Sequence, residues 1–312
     1  MEYAPPPTDE QLAALCAELA GRGRLIYVRR IAGGLGCTMD VLELRESSGQ
    51  SRKMILRRRG PWSQGNTIEA AELEFRILEQ LTAQGLRVPE PLWLDHNGIF
   101  EEPALVMAYL DGQYLLSPDD PLDWAEQLAG ALVQLHAVVP DPQTLGRLAD
   151  MNAAEADRNR SVVIPEKLTA HPLGGLLWAR RVSEASRVEL APPVFSHGDF
   201  WPGNTVWRQQ RLVGIVDFEQ AVLADPGRDL AYCATDMQYV ELYGAADRLI
   251  EVYKAETGRA LESLDYWTMR ALERPLPDIA VWIPSFNAVG HTTITATRLR
   301  AQHSALIRRF LD

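Results

Sequence analysis

The densest chemistry in the sequence lies in Ser196-His197-Gly198-Asp199-Phe200-Trp201-Pro202-Gly203-Asn204, where a carboxylate and a carboxamide stand five residues apart in a stretch rich in turn residues. Downstream, the apolar run Leu212 to Val216 ends on Asp217-Phe218-Glu219, so a second acidic side chain closes a strand-like segment. A carboxylate that takes the proton of an attacking hydroxyl, with hard oxygen ligands that hold Mg²⁺ against a triphosphate, is what phosphoryl transfer requires. Asp199 is the candidate base, and Asn204 and Asp217 are the candidate metal ligands. A turn hydrogen bond for His197 and Asp199, or an ordinary strand end for Asp217, would explain each residue singly. The order, the spacing and the hairpin between them favour a shared role.

These residues need elements to position them. Helical spacing of Leu12, Leu15, Cys16 and Leu19 predicts a leading helix after Thr8 or Asp9. Strand-like runs follow at Leu25 to Ala32, Thr38 to Leu44 and Met54 to Arg58, then a helix from about Thr67 to Gln84 with Ala71, Phe75, Leu78 and Leu81 on one face. Two further strands fit Pro91 to Asp95 and Ala104 to Leu110. From Pro121 the pattern is helical, with Trp124, Leu128, Ala131, Leu132 and Leu135 on one face and helices expected within 173–190, 229–257 and 296–311. The exception is a hairpin around Thr205 to Trp207 and Leu212 to Val216. The expectation is an α+β chain of two lobes: residues 1–110 as a small antiparallel sheet with one main helix for nucleotide binding, and residues 111–312 as a helical lobe with catalytic loop, metal site and acceptor pocket.

The Asp199 and Asn204 spacing is that of the kinase loop H-R-D-x-x-x-x-N, and Asp217 takes the place of the metal-binding Asp in D-F-G. The sequence resembles the aminoglycoside phosphotransferase and choline kinase family, whose fold is like that of protein kinases. His197-Gly198-Asp199 with Asn204, Ile215-Val216-Asp217, and Asp225-Pro226-Gly227-Arg228-Asp229-Leu230-Ala231 carry the resemblance, which extends more weakly over about residues 25–255. It implies transfer of the γ-phosphoryl group of ATP or GTP to a small-molecule hydroxyl, and a structural role for Asp229 in tying the catalytic loop to a helix.

On the nucleotide side, Gly33, Gly34 and Gly36 lie between two expected strands, where backbone amides could cover phosphates. A hairpin turn would use the same glycines, and Met39 stands where a third motif glycine would be. Arg57 is the candidate phosphate grip, with Lys53 as the second choice, and Glu74 is its candidate partner in competition with Glu72 and Glu79. The resemblance points to a hinge at Ala108 to Leu110 whose backbone would pair with the nucleotide base.

The acceptor is less legible. Trp201, Glu219, Asp236 and the stretch from Trp282 to His291 are geometric suspects, and Thr292, Thr293, Thr295 and Thr297 read best as a helix start. With 46% hydrophobic and 23% charged residues the chain of 312 can build a sizeable core. The net charge of -11 disfavours nucleic acid and suits a cationic acceptor such as an amino alcohol or aminoglycoside. Cys16, Cys37 and Cys233 are widely spaced, reading as reduced packing residues in a cytoplasmic protein, and no stretch reads as a leader or membrane span. A nucleotide-binding module without turnover is the competing reading. A protein kinase is disfavoured because no A-P-E segment follows Asp217.

Overall fold

The structure is a computed structural model that describes residues 4–19, 24–31, 37–45, 49–60, 65–161 and 163–312. Its chain divides into two compact units: Met1–Asp111 with Asp141–Arg147 and Gly214–Glu219, and Gly112–Pro140 with Leu148–Val213 and Gln220–Asp312.

The first unit is built on five strands, β1 (Arg24–Ile31), β2 (Cys37–Arg45), β3 (Ser51–Arg59), β4 (Pro91–Leu94) and β5 (Ala104–Ala108), in the order β1-β2-β3-β5-β4 with every neighbouring pair antiparallel. Alternation along β3 decides what the strand can do. Met54 and Leu56 enter a core with Leu15, Leu42, Leu44 and Val106, so Arg57 and Arg59 share the opposite face. Arg58, on the core side, is buried against Asp40 at 3.1 Å and covers the Phe100 ring.

The helix Ile68–Ala83 starts on a Thr67 side-chain cap and is followed by Gly85 at φ +79. Its buried residues are Ala71, Glu74, Ile77, Leu78 and Leu81. Phe75 is only half-buried, so the buried face is rotated from the expected one, and it takes in a carboxylate. The leading helix, Asp9–Glu18, is capped by Thr8 and Gln11 reciprocally.

The second unit is mostly helical. Its longer helices are Pro121–His136, Gly174–Ala185, Gly227–Tyr239, Tyr243–Thr257, Leu264–Glu273 and Ala296–Arg308. Leu177, Tyr239, Met269, Leu272, Phe286, Leu299 and Leu306 form one of its cores. The stretch 229–257 holds two helices: Leu242 N–H donates to Met237 O at 2.9 Å across Glu241 at φ +65, a Schellman-type stop made without the usual glycine. Thr295 caps the last helix through the Arg298 amide, which fixes the helix-start reading of that threonine stretch on one residue.

Two short ribbons interrupt the helices. β6 (Val194–Ser196) pairs with β9 (Val222–Ala224), and β7 (Thr205–Arg208) pairs with β8 (Arg211–Ile215) through Gln209 and Gln210, both at positive φ. Among the described residues no helix is long and apolar enough to cross a membrane.

Candidate functional site

In the second unit, the loop after β6 is fixed by the helix Gly227–Tyr239. Asp229, fully buried in that helix's first turn, accepts the amide protons of His197 at 2.7 Å and Gly198 at 3.1 Å. Burial alone would raise the Asp229 carboxyl. The His136 Nε2 bond at 3.3 Å and the His136, Arg228 and His197 charges overcome this and hold it well below the usual carboxylate range. Gly198 turns at φ +84, and a side chain there would strike the Gln220 carbonyl. The His197 ring is buried, its Nδ1 accepting the Asp199 amide at 3.3 Å, so it braces the loop.

Asp199 follows on the half-exposed side of this turn. Asn204 Nδ2 donates to the Asp199 carbonyl at 2.9 Å, which leaves the Asn204 amide oxygen as its donor to a hard cation. Arg274 Nη2 donates to Asp199 Oδ1 at 2.5 Å. Asp225 anchors the other end of the same segment, accepting the Gly227 and Ala191 amides, each at 2.7 Å, and the Ser263 hydroxyl.

In the first unit, Asp217 stands just past β8 at φ +71, a left-handed conformation that a non-glycine residue adopts at a cost. Arg57 Nη2 reaches Asp217 Oδ1 at 2.6 Å and Glu219 Oε2 at 2.9 Å, while Nη1 lies 3.4 Å from Glu74 Oε1. Arg59 binds the other Glu74 oxygen at 2.5 Å. Burial pushes the Glu74 carboxyl up, against the pull of Arg57 and Arg59. Cys37 Sγ lies 3.5 Å from Glu219 Oε2, and burial pushes its thiol up to about 12.

Several expected residues are thus placed. Arg57, Glu74 and Asp217 form one network, Glu74 being distinguished from the more exposed Glu72 and Glu79 by its burial. Lys53 is not in it; its ammonium lies 5.7 Å from the Tyr109 ring centre. Glu219, a suspect for the acceptor pocket, also joins Arg57. At the expected hinge, the Ala108 amide donates to Glu90 O at 2.8 Å and the Tyr109 amide to Lys53 O at 3.3 Å, leaving Leu110 as the first residue beyond these sheet bonds. Gly33, Gly34 and Gly36 lie outside the described residues.

Arg59 and Arg274 are not among the site residues expected from the sequence. Arg59 was legible as the i+2 neighbour of Arg57 on one strand face, whereas nothing local marks Arg274. Among the described residues no three His, Cys, Asp or Glu side chains could hold a metal together. Mg²⁺ sites made of one or two protein ligands and substrate phosphates need no such cluster.

The chain is similar to known phosphotransferases in sequence and in fold. A homoserine kinase of Methylocella silvestris is 26% identical over 177 residues, 53% of each chain, and a viomycin phosphotransferase of Streptomyces vinaceus is 29% identical over 160 residues, 47% of this chain and 55% of that protein. The chain spans about half the length of the curated relatives it matches. A macrolide 2'-phosphotransferase from Brachybacterium faecium superposes with a TM-score of 0.60 at 18% identity, covering 95% of this chain and 98% of that one. A spectinomycin phosphotransferase solved with ADP and spectinomycin gives 0.64 at 14% identity, covering 97% and 99%. The fold is therefore the α+β, kinase-like fold of such phosphotransferases. The model of the phosphotransferase enzyme family matches residues 40–267, and the chain belongs to that family.

Proposed function

We propose that the chain transfers the γ-phosphoryl group of ATP or GTP to a hydroxyl of a small molecule, with Asp199 as the base. The observation that carries this reading is the Asp199 turn: Asp229 holds the two preceding amides, Gly198 makes the bend, and Asn204 ties off the Asp199 carbonyl, so one half-exposed carboxylate is fixed on a rigid loop. The acceptor oxygen attacks the γ-phosphorus as its proton passes to the Asp199 carboxylate. A new O–P bond forms, the bond from the γ-phosphorus to the β,γ-bridging oxygen breaks, and the nucleoside diphosphate leaves with that electron pair.

The Asn204 amide oxygen and the Asp217 carboxylate are hard donors of the kind Mg²⁺ takes, and the ion would supply neutralisation of phosphate charge. Arg57, backed by Glu74, would turn its guanidinium to the phosphates, and Leu110 would meet the nucleotide base at the hinge. Gly33, Gly34 and Gly36 belong to the same proposal as a phosphate-covering loop. Homoserine kinase and viomycin phosphotransferase among the relatives support a small hydroxylated acceptor without naming it.

The test is Mg²⁺-dependent transfer from labelled ATP and GTP across hydroxylated amino acids, sugars and antibiotics. Asp199→Asn should lower kcat at least about 100-fold, as loss of general-base catalysis does. Full transfer by that variant would remove Asp199 from the role, and nucleotide binding without turnover on any hydroxyl would favour a binding module.

A further inference from the structure

The Arg274 guanidinium meets a carboxylate and two aromatic rings within the second unit. It binds Asp199 at 2.5 Å, and its central carbon lies 4.3 Å from the Tyr232 ring centre and 5.4 Å from that of Trp282. The two rings contact the cation in addition to Asp199. Both ends of the ion pair are open to a solute, with side-chain exposures of 26% for Arg274 and 22% for Asp199.

A second guanidinium, that of Arg228, lies 4.7 Å from the centre of the same Tyr232 ring. Arg228 is only 8% exposed, and among the described residues its Nε and Nη1 make no hydrogen bond. Asp229 Oδ1, at 3.7 Å from Nη1, is an ion partner beyond hydrogen-bonding distance. Asp236 is coupled to both Arg274 and Asp199; burial and the Asp199 charge outweigh Arg274 and hold its carboxyl at about 7, so it opposes these cations with only part of a charge near neutral pH.

This arrangement sets a condition on the acceptor. With Arg274 Nη2 on Asp199 Oδ1 and Asn204 Nδ2 at 3.4 Å from Oδ2, both oxygens of the carboxylate that has to receive the hydroxyl proton already have donors, and the guanidinium is the stronger competitor. A polycation would not relieve the competition, since its ammonium groups would come in beside Arg274. A carboxylate on the acceptor would relieve it, because it offers Arg274 the same charge and planar geometry as the Asp199 side chain.

We propose that the acceptor is a hydroxy acid, whose carboxylate takes Arg274 from Asp199 and leaves the Asp199 oxygen to the hydroxyl proton. The inference rests on Asp199 being the base, and it sets aside the cationic acceptor suggested by net charge. Arg274 is then a specificity residue, anchored by Tyr232 and Trp282.

The experiment compares phosphorylation by the full chain with Mg²⁺ and ATP across matched probes: L-homoserine and 4-hydroxybutyrate, their primary amides, 4-aminobutan-1-ol, and the aminoglycoside gentamicin. Transfer is expected on the acids, with the amides and cations at least about 10-fold poorer in kcat/KM. Arg274→Gln should raise KM for the acids at least about 10-fold with a smaller change in kcat, and Arg274→Lys should recover part of the loss. The acids should also raise Tm by mass action.

Preference for amides or cations, with transfer still lost in Asp199→Asn, would overturn the hydroxy-acid proposal and keep the base. So would a failure of both acids either to be phosphorylated or to raise Tm. Undiminished transfer to the acids by Asp199→Asn would overturn the base assignment and, with it, the exchange.

Discussion

The Arg57 guanidinium lies 2.6 Å from the carboxylate of Asp217, the residue proposed to hold Mg²⁺. Its side chain is 5% exposed and it also faces Glu74 and Glu219, so one cation meets three carboxylates, and Arg59 binds Glu74 and lies 3.6 Å from Glu219. If nucleotide and metal bind here, Arg57 has to exchange Asp217 for phosphate oxygen. Arg57→Ala is expected to raise the nucleotide KM about 10- to 100-fold, the range set by loss of one charge-assisted contact. It should also lower stability by about 3 kcal/mol, because the buried carboxylates lose their partner. Nucleotide kinetics and denaturant unfolding check the two effects separately; an unchanged KM removes Arg57 from phosphate binding.

Gly198 stands at φ +84 with the Gln220 carbonyl in the place a side chain would occupy. Gly198→Ala should therefore lose about 1–3 kcal/mol from backbone strain and displacement, and should pull the His197 and Gly198 amides off Asp229. Loss of transfer activity should accompany the fall in Tm. A variant as stable and active as the parent would show that the turn tolerates another path.

How much of this was legible in the sequence depends on whether a residue's role is local. Asp199 and Asn204 sit on one turn, so their spacing carried the hydrogen bond between them, and Asp217 ends a strand whose apolar run marks it. Glu74 was legible only as one of three glutamates on a helix. Its burial depends on how that helix rotates, and the Ile77-for-Phe75 exchange shows that the apolar pattern misread the rotation. Glu241 in the left-handed conformation stopped a helix where no glycine or proline announced it. Arg274 is distant in sequence from Asp199, and no periodicity encodes a pairing of that range. Arg228 lies between Asp225 and Asp229, whose motif does not itself mark the arginine.

Cys37 lies beside Glu219, and burial, reinforced by the Glu219, Asp217 and Glu74 charges against Arg57, pushes its thiol to about 12. At pH 8 only roughly one molecule in ten thousand would carry the reactive thiolate at a pKa of that size. Iodoacetamide at pH 8 should leave Cys37 unmodified in the folded chain and label it after denaturation, as peptide mass analysis would read. Rapid labelling of the folded chain would mean that Cys37 is more open or less acid-flanked than its surroundings indicate.

Asp236 is buried in the helix Gly227–Tyr239, and burial first, then the Asp199 charge, lift its carboxyl from the ordinary 3.8 to about 7 although Arg274 pulls it down. Cys233 and Tyr239, whose own protons its charge helps to retain, face it from the same helix. The sign of the consequence follows from proton counting. Between about pH 4 and 7 the folded chain keeps a proton on Asp236 that the unfolded chain has released, so stability from this group is full below pH 4 and falls as the pH rises to 7. Asp236→Asn, neutral at every pH, escapes that loss. The Tm of the variant minus that of the parent should therefore increase from pH 4.5 to pH 8 and level off above it, whatever the fixed cost of the substitution. A difference that does not change with pH would mean that Asp236 ionises in the folded chain as readily as in the unfolded one, and that Arg274 compensates its burial in full.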